Sequence, residues 1–262
     1  MPASRTLGDN ERRAWLRLAR THNVGPVTFK ALLERFGSAQ AALDNVPRMM
    51  RRGGGEAVRV PSEADAKAEL DALARAGGRL IAACEPEFPR GLAGLDAPPP
   101  VIEVIGHVSL LARDAVAIVG ARNASALGRK FAETMARDLS QAGLLVVSGL
   151  ARGVDAAAHE GSLSGGTAAV LAGGVDVVYP PEHQPLYRRI AAEGVVVSEV
   201  PLGTAPLARH FPRRNRIISG IARGVVIVEA AEGSGSLITA TYALEQGREI
   251  FAVPGSPLDP RA

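Results

Sequence analysis

The segment "HFPRRNRIISG", from His210 to Gly220, is rich in side chains that could bind an anion. It contains three arginines, an asparagine and one aromatic ring, Phe211, and then turns apolar. Between Glu199 and Glu229 there is no acidic residue but there are five arginines: Arg209, Arg213, Arg214, Arg216 and Arg223. Because a planar guanidinium suits carboxylate and phosphate oxygens, the segment indicates either an anion site or a solvated surface with Phe211 in the core.

Small, polar and basic residues also follow several apolar segments elsewhere in the chain. "AVAIVG" continues into "ARNASALG", "LLVVSG" continues into "LARG", and "GVVIVEA" continues into "AEGSGSLITA". Glycines let backbone amides approach a ligand, and helix N-termini favour anions such as phosphate. The residues at these positions that could serve a phosphate are Arg122, Ser148, Gly149, Arg152, Ser234, Gly235 and Ser236.

These glycine-rich turns do not match the common nucleotide-binding motifs. "GARNASALG" places Arg122 where the second glycine of G-x-G-x-x-G would stand, and "LLVVSG" ends without the acidic residue that binds ribose hydroxyls. "GSGSLIT" lacks the lysine of a Walker A motif. We therefore expect no nucleotide cofactor.

The sequence also lacks a recognisable catalytic or metal-binding constellation. None of the histidines has close metal-ligand spacing, and "SGS" lacks the flanks of a nucleophile elbow. Asp155 and His159 are expected one helical turn apart, where a structural hydrogen-bonding role is favoured. Glu199 and Glu229 end apolar segments and could act as acids or bases, but no nucleophile accompanies them. We expect no metal site.

Composition limits the class of protein. The 262 residues carry a net charge of +3, so any attraction to an anionic partner must come from local clustering. Cys84 is the only cysteine, which is compatible with a reducing cytoplasm and excludes a disulfide within the chain. No signal peptide and no apolar run of membrane-spanning length is present. The expected location is the cytoplasm, with no membrane partner.

The chain divides into two patterns. Residues 1–78 read as a small helical domain: short helices over 10–45, a glycine break "RRGGGE" at 51–56, and a helix opened by Ser62 with Asp65 as a capping box. From residue 79 to 262, short β-branched apolar strands alternate with helices, which predicts a doubly wound, mostly parallel α/β sheet.

In such a sheet ligands bind beyond the carboxyl ends of the strands. The turns described above and the start of "HFPRRNRIISG" should therefore meet at one edge. Arginines beside an aromatic ring suit single-stranded nucleic acid, since the charges follow the backbone and the ring stacks on a base. The segment itself divides: His210 to Asn215 is expected to bind, whereas Ile217 to Gly220 is expected in the core, and Asn215 and Arg216 could instead organise the loop.

These residues resemble the DNA-processing protein A family, also called Smf. The resemblance rests on "VAIVGARNAS", "SGLARGVDAAAH", "FPRRNRIISG" and "EAAEGSGSLITATYALEQGREIFAVPG", with a weaker "CEPEFPRGL". "HNVGPVTFKALLERFGS" is similar to the family's SAM-like, helix-hairpin-helix-related domain, with Asn23 where a glycine is common. Ala121 stands in "GAR" where "GSR" is common.

The resemblance implies a Rossmann-like fold and a non-enzymatic protein that binds single-stranded DNA. Such proteins protect incoming DNA in natural transformation, help load the recombinase RecA and form homodimers. The resemblance also implies that the small winged-helix-like domain of many members is absent. Together with the charge cluster, the implied DNA-binding residues are Arg122, Ser148, Gly149, Arg152, Arg209, Phe211, Arg213, Arg214, Asn215, Ser234, Gly235 and Ser236.

Two alternatives stay open. One is a nucleotide hydrolase of the phosphoribohydrolase type on a related fold, for which Glu229 before "AAEGSGSLITA" could supply the carboxylate, although the loop lacks the paired glycines of "PGGxGT". The other is a scaffold that binds no nucleic acid.

Overall fold

The computed structural model describes residues 5–52 and 59–255. Four helices precede the sheet: α1 (Asp9–Ala19), α2 (Pro26–Phe36), α3 (Ala39–Arg52) and α4 (Glu63–Arg75). Trp15, Leu16 and Leu18 of α1 are buried, and the Trp15 ring lies 5.0 Å from the Phe29 ring of α2. This apolar face is what holds the first helices together. Residues 51 and 52 of the expected glycine break continue α3, and residues 53–56 lie outside the described residues.

Helix ends follow the local chemistry that the sequence predicts. Pro26 occupies the first turn of α2, where a missing N–H costs nothing, and Gly37 ends the helix at φ 77°. Ser62 and Asp65 form a capping box at the start of α4, each side chain accepting a hydrogen bond from the other's backbone N–H.

The backbone conformation of Asn23 explains why an asparagine can stand where a glycine is common. It has φ 63°, in the left-handed region that disfavours most side chains. Glycine adopts this conformation without penalty, and asparagine is among the few other residues that tolerate it. The turn before α2 is therefore kept although the residue differs.

The sheet has eight strands in the order β1-β2-β6-β5-β4-β3-β7-β8. Strands β3 to β8 pair in parallel, whereas β1 pairs antiparallel with β2, and β2 pairs antiparallel with β6. The strand bounds are β1 (Gly78–Ala82), β2 (Val101–Gly106), β3 (Ala115–Gly120), β4 (Leu145–Ser148), β5 (Thr167–Val170), β6 (Val195–Ser198), β7 (Gly224–Val228) and β8 (Glu249–Ala252). The predicted mostly parallel α/β fold is confirmed.

Helices on both sides of the sheet make it doubly wound. Strands β4 to β7 are fully buried, as expected for parallel strands covered on both faces. The helices are α5 (Arg90–Ala93), α6 (Ala126–Gln141), α7 (Val154–Ser162), α8 (Gln184–Glu193), α9 (His210–Ile221) and α10 (Gly235–Glu245). The polar helix expected from about residue 213 begins at His210, because Pro212 falls in its first turn, where proline is tolerated.

The strand order fixes where a ligand would bind. From β3 the chain moves outward through β4, β5 and β6, then returns to place β7 and β8 on the other side of β3. The loops after β3 and β7 therefore diverge to opposite faces, which opens a crevice at the carboxyl ends of these strands.

The ends of α1 and α4 are joined to the sheet by a partly buried cluster around Arg20, which directly follows α1. Its guanidinium lies 2.9 Å from Glu69 of α4 and 3.0 Å from Glu103 of β2, and it donates to the Glu199 carbonyl oxygen at 2.9 Å. Glu103 is fully buried, and this burial raises the pKa of its carboxyl to about 8, against the attraction of Arg20. The cluster thus links α1, α4, β2 and the end of β6.

Among the described helices, none is both long and apolar enough to cross a membrane.

Candidate functional site

A cavity of about 740 Å³ lies at the crevice beside β3. We call it the rim cavity. Its walls come from the end of β3 and the turn that follows it, residues 119–123, and from α9 with Ala208 before it. Residues within 231–239 around the start of α10 complete the walls, together with Ala151 and Asp155. Of the predicted site residues it brings together Arg122, Phe211, Arg214, Asn215, Ser234, Gly235 and Ser236.

Arg122 is the exposed cation of the rim cavity. Its guanidinium carbon lies 5.6 Å from the centre of the Phe211 ring, within the range of a cation–π contact. Among the described residues no carboxylate forms an ion pair with it. A charged, forked donor group therefore stands free at the edge of the cavity.

The start of α10 supplies hydrogen-bonding groups to the same cavity. The Ser234 hydroxyl caps the helix by accepting from the Ser236 amide at 3.4 Å, and the two hydroxyls lie 2.8 Å apart. Gly235 is exposed, and an added Cβ would meet no atom within 4 Å, so its backbone is open to an incoming group. Amides in a first helical turn favour anions.

Arg214 is not an exposed ligand-binding arginine. It is buried and donates to the carbonyl oxygens of Gly149 and Val170, the latter at 2.6 Å. Burial lowers its pKa to about 10, an effect opposed by buried Asp155 and reinforced by Arg122. This side chain joins α9 to the ends of β4 and β5.

Asn215 organises the wall of the rim cavity, one of the two roles foreseen for it. Its amide donates to the Gly235 carbonyl oxygen at 3.2 Å and its side-chain oxygen accepts from Arg214 at 3.1 Å. The asparagine thus fixes α9 against the start of α10.

Ser148 and Gly149 lie beneath the rim rather than in the cavity. Ser148 is fully buried and donates its hydroxyl to the Ile118 carbonyl oxygen at 2.7 Å. A Cβ at Gly149 would lie 2.3 Å from the Arg214 guanidinium, so the glycine makes room for that side chain. The structure gives both residues packing and hydrogen-bonding contacts beneath the rim cavity, and their predicted contact with phosphate stays a prediction.

The remaining predicted arginines are exposed but lie outside the rim cavity. Arg152 forms an ion pair with Glu182, and Arg213 lies 3.8 Å from Glu199. Arg209 is exposed immediately before α9. Arg213 instead lines a second cavity of about 270 Å³ between α9 and the turn before α2.

The two glutamates considered as acids or bases are engaged in structural contacts. Glu229 accepts from the Ser125 amide at 2.7 Å and from the Ser125 hydroxyl, and so holds the start of α6. Glu199 pairs with Arg216. Neither glutamate lines the rim cavity.

Asp155 and His159 also have structural roles, as the sequence favoured. Asp155 accepts from the amides of Gly149 and Ala151 at 3.2 and 3.3 Å. Burial raises the pKa of Asp155 and lowers that of His159 to about 3. His159 is fully buried and bonds Thr167 at 2.7 Å, so it stays neutral at physiological pH.

One aromatic residue at this edge was missed. Tyr179, in the loop between β5 and α8, meets the Phe211 ring edge to face, with 5.5 Å between ring centres. It is 48% exposed. The sequence gives only a weak signal for it, a tyrosine in a loop that follows a parallel strand.

Comparison with known proteins identifies relatives over most of the chain. Residues 79–262 match the family described as DNA recombination-mediator protein A, and residues 9–72 match the DprA-like N-terminal HHH domain. Protein Smf of Synechocystis sp. is 34% identical over 264 residues, covering 96% of this chain and 66% of its own length. DNA processing protein DprA is 42% identical in Bacillus subtilis and 44% in Streptococcus pneumoniae, covering 74% and 66% of this chain.

The chain spans between 61% and 66% of the length of these three relatives. Among solved structures, DNA processing protein A of Streptococcus pneumoniae matches with a TM-score of 0.79 at 30% identity, covering 98% of this chain and 90% of that one. DNA processing protein A of Helicobacter pylori, described with a single-stranded DNA binding mode, matches with a TM-score of 0.63 at 29% identity, covering 66% of this chain and 80% of that one.

Proposed function

The chain belongs to the DNA recombination-mediator protein A family, and on that premise we propose that it binds single-stranded DNA at the rim cavity. The observation that carries the proposal is the unpaired guanidinium of Arg122 facing the start of α10. An unpaired cation and first-turn amides that line the same cavity provide two kinds of donor for a phosphate. Phosphate recognition by itself is independent of sequence, as a DNA-processing protein requires.

Aromatic rings beside these donors favour a single strand over a duplex. In a duplex the bases are stacked on each other, so an aromatic side chain at the protein surface has no free base to contact. In a single strand each base offers a face, and stacking adds roughly 1–3 kcal/mol per base. Phe211 lies in the cavity wall next to Arg122 and Tyr179 packs against it, so aromatic rings lie beside the donors for a phosphate.

We extend the proposal to the cellular role and the partners. The protein would protect incoming single strands in the cytoplasm during natural transformation and help load the recombinase RecA, as the family description of a recombination mediator suggests. The helical domain would comprise residues 1–78 and the Rossmann-like domain residues 79–262. It would act as a homodimer without catalysing a reaction.

The exposed edge of the sheet supports the homodimer. Every residue of β8 is exposed, and Phe251 on this strand is 55% exposed. Leu244 near the end of α10 is 73% exposed. A second copy related by a two-fold axis could cover both the open strand edge and these apolar side chains.

A salt titration with an Arg122→Ala variant tests DNA binding. The variant should bind a labelled dT oligonucleotide roughly 10- to 100-fold more weakly, since a charge-assisted contact contributes about 1.5–3 kcal/mol. The slope of log affinity against log salt should fall by about one, because one fewer phosphate is neutralised. Fluorescence anisotropy measures both quantities.

Arg223→Ala is the matched control. It also removes one exposed arginine, but Arg223 precedes β7 and so lies at the amino ends of the parallel strands, away from the rim cavity at their carboxyl ends. It should bind with wild-type affinity, and the wild-type protein should prefer the single strand to the duplex. Salt-insensitive binding, or wild-type affinity in Arg122→Ala, contradicts the proposal.

A further inference from the structure

Tyr179 occupies an unusual place for an aromatic ring. Although it touches Phe211, nearly half of its surface stays open to solvent at the edge of the rim cavity. A ring that served only to fill space would be expected in the interior, where its apolar area is removed from water. The exposed part of its ring is instead available to a ligand.

Phe211 is the less accessible of the two rings. It is half-buried, and three groups approach it: the Tyr179 ring, the Arg122 guanidinium at 5.6 Å and the Arg214 guanidinium at 6.0 Å. These neighbours surround much of the ring, which leaves it less accessible than the Tyr179 ring. Phe211 is thus well placed to support Tyr179 and Arg122, and less well placed to receive a base itself.

The loop that carries Tyr179 is held in place before any ligand arrives. Asp176 accepts from the Gly203 amide at 2.7 Å, and the Val177 amide donates to the Gly174 carbonyl oxygen at 3.0 Å. After the tyrosine, His183 bonds the Leu150 carbonyl oxygen at 2.9 Å through its ring. Because both sides of the loop are fixed, little conformational entropy is lost when a ligand stacks on the ring.

We propose that Tyr179 is a base-stacking residue: its ring receives a base of bound single-stranded DNA while Phe211 supports it and Arg122 holds an adjacent phosphate. The inference rests on the proposed function and adds a residue to that site. It assigns Phe211 a positioning role in place of the stacking role that the sequence suggested. The Tyr179 hydroxyl is not needed, because stacking uses the face of the ring.

The test compares two oligomers of equal length, dT and an abasic deoxyribose phosphate, by fluorescence anisotropy. Tyr179→Leu should bind the dT oligomer roughly 5- to 100-fold more weakly, the range expected for loss of one stacked base. It should bind the abasic oligomer like the wild type. Tyr179→Phe should bind both like the wild type, because it keeps the ring.

Phe131→Leu is the matched control, since it removes a partly exposed ring from α6 and should change neither affinity. Photocrosslinking to an oligonucleotide that contains 5-iododeoxyuridine gives a direct readout, with the adduct expected on Tyr179. An adduct confined to Phe211 would overturn the assignment. So would wild-type affinity of Tyr179→Leu for dT, or an equal loss on both oligomers.

These outcomes separate the two proposals. If Arg122→Ala weakens binding to both oligomers and Tyr179→Leu weakens neither, only the stacking assignment fails. If the wild-type protein binds neither oligomer, the DNA-binding proposal fails and the stacking assignment fails with it.

Discussion

Two guanidinium groups approach the Phe211 ring from different depths of the protein. Arg122 is exposed on the turn after β3, whereas Arg214 is buried against two carbonyl oxygens and a buried carboxylate. An exposed charge is available to a ligand. Removing one member of a buried charge network destabilises the folded protein, because its former partners are left buried and unpaired. Burial therefore distinguishes Arg122, the proposed binding residue, from Arg214, whose contacts are structural, within the same cavity.

Arg214→Ala should lower the free energy of unfolding by about 3–5 kcal/mol, the cost typical of breaking a buried charge network. The change leaves two carbonyl oxygens without their donor and Asp155 without its nearby cation. Urea denaturation followed by circular dichroism measures the loss. Arg122→Ala should stay within about 0.5 kcal/mol of the wild type, as exposed substitutions usually do. Equal midpoints for the two variants would contradict this division.

At this scale the sequence predicted the location of side chains better than their depth. Arg213 and Arg214 are neighbours in the same charged run, and only their positions around α9 make one exposed and the other buried. The residue types in this charged segment do not show which of the two arginines is buried. Tyr179 was missed for a related reason: its partner Phe211 lies at the start of α9, and only the folded sheet brings that helix beside the loop that carries Tyr179.

One link between elements is the partly buried cluster in which Arg20, at the end of α1, meets Glu69 of α4 and Glu103 of β2. Burial raises the pKa of Glu103 from its ordinary value of 4.5 to about 8, and a hydrogen bond with Glu69 acts in the same direction. At neutral pH the protonated form of Glu103 is therefore favoured in the folded protein.

This raised pKa makes stability depend on pH. Below about 4.5 the carboxyl is protonated in both the folded and unfolded states, so its full contribution to stability is present. Between 4.5 and 8 the unfolded state ionises first, and the contribution is lost as pH rises through this window. The loss should be on the order of a few kcal/mol.

Glu103→Gln should flatten this part of the pH profile, because the amide cannot ionise. Urea denaturation midpoints measured at pH 5 and pH 8 check this prediction. At pH 8 the variant should be more stable, relative to the wild type, than it is at pH 5. Glu87→Gln, which changes an exposed glutamate paired with Arg79, is the control and should follow the wild type. Parallel profiles for the wild type and Glu103→Gln would contradict the assignment.

Most elements could be predicted because their signals are local. The β-branched runs of β4 to β7 and the capping residues of α4 are read directly from neighbouring residues. The antiparallel pairing of β1 and β2 was not predicted, since strand direction depends on which edge of the sheet receives them. The Arg20 cluster also escaped prediction, because its members are far apart in the sequence.

For the whole molecule, the edge formed by β8 and the end of α10 is an exposed surface that bears on assembly. Phe251 and Leu244 expose apolar surface beside an unpaired strand edge. Such an edge favours association with another chain unless it is covered. The proposed two-fold contact would cover it.

Leu244→Glu should shift the protein from dimer toward monomer, because it places a charge within the proposed apolar interface. Sedimentation velocity measures the change. Val27→Glu is the control, since it alters a similarly exposed residue on α2, far from this edge in the fold. A monomeric wild type, or a Leu244→Glu variant that remains dimeric, would refute the arrangement.

The rim cavity is assembled from three segments, after β3, within α9 and at the start of α10, that adjoin one another only in the folded chain. A ligand that bridges Arg122 and α10 therefore has no equivalent site in the unfolded chain. By mass action, such a ligand adds to the stability of the folded state, by about 2.7 kcal/mol at a free concentration one hundred times Kd. Under the proposed function, bound DNA would keep its carrier folded as well as being protected by it.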